Sequence, residues 1–253
     1  MNDDLRRARA FEEAVRERGA ERTVSFEWGC ALFNETYDRV WELNILRVDR
    51  PDGLTVEALV AEADRLQGGA GLGHRRIVVL DEAAGAALEP RFKEVGWQAD
   101  RFVYMAARRR PARTADASAV REVERAALRP LRETIIRAEP WGKADEVVRQ
   151  LVDASGIVAE AARARHFAVV VDGVAVAAAD LYSDGRIAQI EDVATMPDQR
   201  GHGYATAVVL RALEEARNAG HELTFLIADE NDWPKELYAR LGFDPIGRKF
   251  AFL

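Results

Sequence analysis

Cysteine is nearly absent: Cys30 stands alone, so neither an intrachain disulfide nor a cysteine-based metal site can form. Histidine is scarce too, and His74, His166, His202 and His221 show no metal-ligand spacing, so no metal is expected. No apolar run approaches the ~20 residues of a membrane span. The opening MNDDLRRARAFEEAVRERG reads as a charged amphipathic helix rather than a signal peptide, which makes the cytoplasm the expected address and excludes a membrane partner. A basic excess is missing as well. The formal charge of -7 argues against a nonspecific nucleic-acid binder, which needs a cationic footprint. Arg108, Arg109, Arg110 and Arg113 form one basic run, but beside Pro111 it reads as a solvated linker. Two nucleotide signatures are lacking: there is no G-x-x-x-x-G-K-[ST], and Thr206 stands where a dinucleotide fingerprint needs its third glycine.

What is present is 253 residues with ordinary globular composition, room for one large or two small domains. After the opening helix, Thr23 to Phe33 and Tyr37 to Val48 read as strands, and Thr55 to Leu66 as a helix. The glycine-rich Gly68 to Gly73 then feeds a strand, Arg75 to Leu80. With no helix N-terminus there, it reads as a flexible connection rather than a phosphate loop. A helix from Ala84 to Val95 and a strand from Phe102 to Ala107 close the first half. In the second half, Val120 to Ala138 and Ala144 to Ala162 read as helices. Phe167 to Val171 and Val174 to Leu181 read as strands joined by the hairpin turn Asp172-Gly173. Leu223 to Ala228 reads as a further strand, and two strands around Ile246 and Phe250 to Phe252 end the chain.

The most informative stretch is IEDVATMPDQRGHGYA, from Ile190 to Ala205. Ile187, Ile190 and Val193 mark a strand that breaks at Met196-Pro197-Asp198. Ala205, Val208, Val209, Ala212, Leu213 and Ala216 then fall at helical spacing. A glycine-rich helix start suits an anion, because the first N–H groups lack internal partners and the helix dipole favours negative charge. Gly201 and Gly203 allow close approach, and Arg200 can add a charge-assisted contact. The plainer alternative is a glycine-containing strand-to-helix turn.

The chain also repeats itself. Leu88 to Trp97 has the form of Lys235 to Phe243, and both halves run strand, helix, strand, helix, strand toward their ends. Two copies of one α/β unit are inferred, 1–110 and 114–253. The first is depleted of chemistry: Arg50-Pro51-Asp52-Gly53 precedes its helix, and Phe92 occupies the place of Tyr238.

Arg200-Gly201-His202-Gly203-Tyr204-Ala205 matches R-x-x-G-x-A, the pyrophosphate-binding pattern of the GNAT superfamily of acyl-CoA-dependent N-acyltransferases. Asn231 to Phe243 resembles that family's N-x-x-x-x-x-L-Y-x-x-L-G-F, in the correct order. The resemblance covers 114–253 by motif and 20–110 only by architecture. It implies an α/β (α+β) fold of two GNAT-like domains, each a mixed, mostly antiparallel twisted sheet flanked by helices, the first one degenerate. It also implies acetyl-CoA as cosubstrate, its pyrophosphate on Arg200, Gly201, His202, Gly203, Tyr204 and Ala205. Backbone N–H groups of Val193, Ala194 and Thr195 would meet pantetheine and the acyl oxygen, and Asn231 would bond the pantetheine arm or orient its loop. Because the two helices of this domain border the acceptor in the family, Trp141 becomes a substrate contact; it reads equally as packing.

Acetyl transfer to an amine needs a base, because an ammonium has a pKa of ~10.4. Glu191 and Asp192 adjoin on a strand, and alternation predicts opposite faces, so only one would enter a shared cleft. Glu191 is the favoured base, directly or through water, against a solvated or helix-paired carboxylate; Asp192 is retained as a substrate contact. Tyr238 suits the acid, since a phenol at ~10 outlasts a thiol at ~8.5. The expected activity is acetyl transfer to a primary amine of a small molecule or peptide, without a covalent acyl-enzyme, in a monomer or homodimer. Tandem members of the family include mycothiol synthase, so an amino-sugar conjugate is an alternative acceptor. A non-catalytic acyl-CoA sensor is the alternative outside enzymes.

Overall fold

The computed structural model describes residues 3–253, so Met1 and Asn2 of the expected opening helix lie outside the described residues. Helix α1 (Asp3–Gly19) buries Leu5, Ala8, Phe11, Glu12 and Val15, a stripe at three-and-four spacing. Strands β1 (Arg22–Phe26) and β2 (Gly29–Phe33) follow as a hairpin. The expected single strand from Thr23 to Phe33 therefore turns back at Glu27-Trp28. Gly29 is required there: a Cβ would lie 2.0 Å from the Arg47 carbonyl oxygen. The region expected as a strand from Tyr37 instead forms two 3-10 turns, Glu35–Tyr37 and Trp41–Leu43, before β3 (Ile45–Val48). Trp41 stacks on His74 rather than entering the core.

Helix α2 (Val56–Ala63) is capped by Thr55, whose hydroxyl accepts from the Ala58 N–H, and runs into a π-helical turn, Asp64–Gly68. Strand β4 (Ile77–Val79), helix α3 (Glu82–Glu94) and strand β5 (Ala99–Ala107) complete the first half. The second half opens with a strand, β6 (Val120–Val123), within the stretch expected to be wholly helical. Helices α4 (Arg129–Ala138) and α5 (Asp145–Ala161) follow. Strands β7 (Arg165–Val171) and β8 (Val174–Ser183) meet at Asp172 and Gly173, both at positive φ, as a two-residue hairpin requires. Next come β9 (Ile187–Thr195), α6 (Tyr204–Asn218), β10 (Leu223–Asp229), α7 (Pro234–Arg240) and β11 (Phe243–Phe252). β11 is one strand with an irregularity between Pro245 and Gly247, where two strands were expected.

All the strands join one mixed, mostly antiparallel sheet in the order β1-β2-β3-β4-β11-β5-β10-β9-β8-β7-β6. The last strands are exchanged. β5, from the first half, lies between β10 and β11 of the second, and β11 pairs with β4 of the first. Residues 1–110 and 114–253 thus share a sheet through each other's closing strands. Each half holds one parallel pair, β3 with β4 and β9 with β10. The β9–β10 pairing runs only from Ile187 and Leu223 to Gln189 and Phe225, after which the strand ends separate and leave a slot.

Packing fixes that splay. Val208, Val209, Ala212 and Leu213 of α6 bury against β7, β8 and β9 on one face of the sheet. On the other face, Phe11 of α1 meets Phe225 edge-on at 5.8 Å. In the first half, Phe92 is fully buried and stacks on Phe252 at 4.0 Å, so the counterpart of Tyr238 is a core residue.

Candidate active site

Gly201 and Gly203 sit at φ 85° and 81°, in the left-handed region that favours glycine. A Cβ at either would meet nothing within 4 Å, so backbone conformation, not crowding, calls for glycine. Gly203 is the N-cap of α6 and supplies no side-chain cap, which leaves the first-turn N–H groups open to a ligand. They face a cavity of about 940 Å³ lined by the whole run Arg200 to Ala205, by Val193, Ala194 and Thr195 of β9, and by Tyr238 of α7. Thr195 Oγ1 is buried in this wall without a hydrogen-bond partner.

Between the splayed ends of β9 and β10 lies the slot, about 250 Å³. Glu191, Asp192 and Val193 form one side, Ile227, Ala228 and Asp229 the other, with Pro234 and Tyr238 at the edge. Tyr238 and Val193 line both the large cavity and the slot, while Glu191 and Asp192 line both the slot and a second cavity of about 430 Å³. The large cavity, the slot and the second cavity therefore adjoin one another, with Tyr238 at the first junction and Glu191 at the second.

The two acids do not alternate as expected. Asp192 has φ 50°, and the β8–β9 register shifts between Ala178 and Asp180, so a bulge turns Glu191 and Asp192 toward the same cavity. Asn231 is exposed and lies outside the cavity lining; its N–H donates to Asp229 Oδ1 at 2.7 Å, and Asp232 takes a place in the wall instead. Trp141, 58% exposed, also stands outside the linings of both cavities.

Residues 128–243 match the family model described as the acetyltransferase (GNAT) family. The chain carries a GNAT domain. No curated protein matched the chain. Among solved structures, a conserved protein of unknown function from Staphylococcus epidermidis ATCC 12228 shares 13% identity at a TM-score of 0.67, covering 91% of this chain and 92% of that one. A GCN5-related N-acetyltransferase from Kribbella flavida shares 21% identity at 0.61, over 100% and 95% of the two chains. A tandem GNAT protein from the clavulanic acid biosynthesis pathway shares 16% identity at 0.50, over 81% and 73%. These three likenesses are of fold.

Within the GNAT domain the ionisable groups are strongly perturbed. Burial, reinforced by the charge of Asp192, pushes the Glu191 carboxyl up to about 8, although Gln189 donates a hydrogen bond to it. Asp192 is raised to about 6, first by burial and then by Asp180, with Arg132 opposing. Arg132 lies 3.6 Å from Asp192 and donates to Asp180 at 2.7 Å, and Asp180 also holds His166 Nδ1 at 2.7 Å. Burial and the nearby Glu191 and Asp232 raise the Tyr238 phenol above its usual value, and its hydroxyl has no hydrogen-bond partner among the described residues.

Several site residues escape a reading of motifs. Arg113, in the run read as a linker, and Arg240 line the large cavity beside the glycine loop. The trio Arg132, His166 and Asp180, of which His166 and Asp180 are buried, comes from three elements with no shared spacing. Among the described residues no cluster of His, Cys, Asp and Glu could hold a metal, and no helix is long and apolar enough to cross a membrane.

Proposed function

We propose that the chain transfers an acetyl group from acetyl-CoA to a primary amine of a small molecule or peptide, by direct attack with both substrates bound. The observation that carries this reading is the slot between β9 and β10, with Tyr238 at the large cavity and Glu191 at the second. The open helix start and the cationic rim of Arg113, Arg200 and Arg240 fit the phosphates of CoA. The unpartnered Thr195 hydroxyl, with the backbone of Val193 and Ala194, fits the amide-bearing pantetheine arm and the thioester carbonyl.

An amine arriving through the second cavity loses a proton to ionised Glu191. Its nitrogen then forms a bond to the thioester carbon, and collapse breaks the C–S bond. The thiolate takes its proton from Tyr238, which burial keeps protonated until then, and the phenol is restored by the second proton that the nitrogen sheds as the amide forms. Raising Glu191 to about 8 brings it nearer an alkylammonium, which makes it a stronger base than an exposed carboxylate once ionised.

Thiol release from acetyl-CoA over a panel of small amines, polyamines, aminoglycosides and peptides tests the proposal. Amine-dependent release with acetylated product is expected. Tight CoA binding without turnover on any amine would instead indicate a sensor.

A further inference from the structure

The second cavity is walled by both halves of the chain. Its floor is the sheet face carrying Glu191, Ile227, Phe102 and Lys249, and α1 and α5 cover it. At one end stand the acids of β9. At the other stand three cations, Arg16, Arg76 and Lys249, against two carboxylates, Glu12 and Glu42. Lys249 Nζ pairs with Glu12, which also accepts from Arg16 Nε at 3.1 Å and from the Tyr104 hydroxyl at 2.6 Å. Glu42 takes Arg16 Nη2 at 3.1 Å and one nitrogen of Arg76. Both carboxyls are held at about 2 by these neighbours, so two ionised carboxylates face three basic side chains.

Arg76 is the group left wanting. It is 6% exposed, only its Nη2 is hydrogen-bonded, and its Nε is buried without a partner. A buried guanidinium with unmet donors is unfavourable, and its planar fork matches a carboxylate. Between the two ends the walls are apolar, from Val15, Val40, Leu43, Leu151 and Ile227. Arg76 immediately precedes β4, and from β9 to β4 the sheet crosses β10, β5 and β11, four strand spacings or ~19 Å. The side chains of Glu191 and Arg76 reach into the cavity from the two sides of that span, so a ligand touching both must be elongated.

We infer that the acceptor is a small aliphatic amine carrying a carboxylate several bonds from the nitrogen, with the nitrogen at Glu191 and Asp192 and the carboxylate at Arg76 and Arg16. This rests on acetyl transfer at Glu191, as proposed above. It gives the first half, which lacks the glycine loop, a part in choosing the substrate.

The test compares kcat/KM for 6-aminohexanoate, hexylamine, 6-aminohexanamide and L-norleucine at saturating acetyl-CoA. The carboxylate with the remote amine should exceed each of the others at least tenfold. Arg76→Gln and Arg16→Gln should bring 6-aminohexanoate and hexylamine within about twofold of each other, and Arg76→Lys should keep an intermediate preference. Should Arg76→Gln fail to fold, Arg16→Gln carries the comparison, since the Arg16 side chain is only partly buried. Equal rates across the wild-type series, or a preference that survives both variants, overturns the inference and leaves acetyl transfer standing. If no amine releases thiol, the proposed function is what fails. Calorimetric binding to the CoA-saturated protein then decides the pocket: 6-aminohexanoate at least tenfold tighter than hexylamine supports the inference, and equal or absent binding overturns it.

Discussion

Glu191 and Asp192 are consecutive residues on β9, yet both line one cavity, because Asp192 adopts φ 50° and breaks the alternation of the strand. Two carboxylates on one wall repel each other, and the charge of Asp192 adds to burial in raising the pH at which Glu191 ionises.

That arrangement has a stability cost with a definite sign. Glu191 is raised in the fold to about 8 from an ordinary 4.5, so the folded chain holds its proton more tightly than the unfolded chain. The contribution is favourable below about pH 4.5 and is lost as pH rises toward 8. Glu191→Gln, which cannot ionise, should therefore melt higher than the wild type at pH 9, with the gap narrowing as pH falls to 5. Thermal melts across this range check it; a gap that does not change with pH would remove the burial effect.

Tyr238→Phe deletes a hydroxyl that bonds to no other described residue while keeping the ring against Phe243. Melting should stay within a few degrees of the parent, acetyl-CoA affinity should be retained, and turnover should fall at least tenfold, within the range of general-acid catalysis of ~10²–10⁴. Steady-state kinetics with calorimetric titration of acetyl-CoA separates these effects. An unchanged rate removes Tyr238 from the acid role.

Gly203→Ala forces a Cβ onto a residue at φ 81°, a conformation costing ~1–2 kcal/mol for an L side chain. Stability should drop by about that much, or α6 should re-aim its first turn. Either way the KM for acetyl-CoA should rise several-fold while amine discrimination is kept. Denaturant melts and initial rates measure both.

Strand exchange predicts that the halves do not fold apart. Without β5, residues 114–253 lose the strand between β10 and β11, and without β11, residues 1–113 expose an edge of β4. Each fragment expressed alone should be insoluble or lack cooperative melting, and coexpressed fragments should copurify. A folded, monomeric 114–253 fragment would contradict the pairing.

What the sequence made legible was local. The glycine run at 200–205, Pro234 in the first turn of α7 and the Asp172-Gly173 turn each carry their conformation in adjacent residues, and each forms where its residues require. Val120–Val123 was not legible: two valines three apart suit a helix as well as a four-residue strand, and only pairing with β7 decides. Trp28 and Trp41 have strand-like composition, but hairpin geometry and 3-10 turns place them outside regular strands. The bulge at Asp192 has no residue signature, since a non-glycine at positive φ is set by its neighbours in the sheet. Pairing of β5 with β10, and assembly of Arg16, Arg76 and Lys249 around one cavity, join segments far apart in sequence with no shared motif.

The pH dependence of kcat/KM for an amine substrate, measured in the wild type and in Glu191→Gln, tests the central claim most directly. With Glu191 raised to about 8, activity in the wild type should climb through a limb centred near that pH, because the base works only when ionised. In Glu191→Gln that limb should vanish and the rate should fall at least tenfold. Identical profiles and rates in the two proteins would contradict proton removal by Glu191 at the slot.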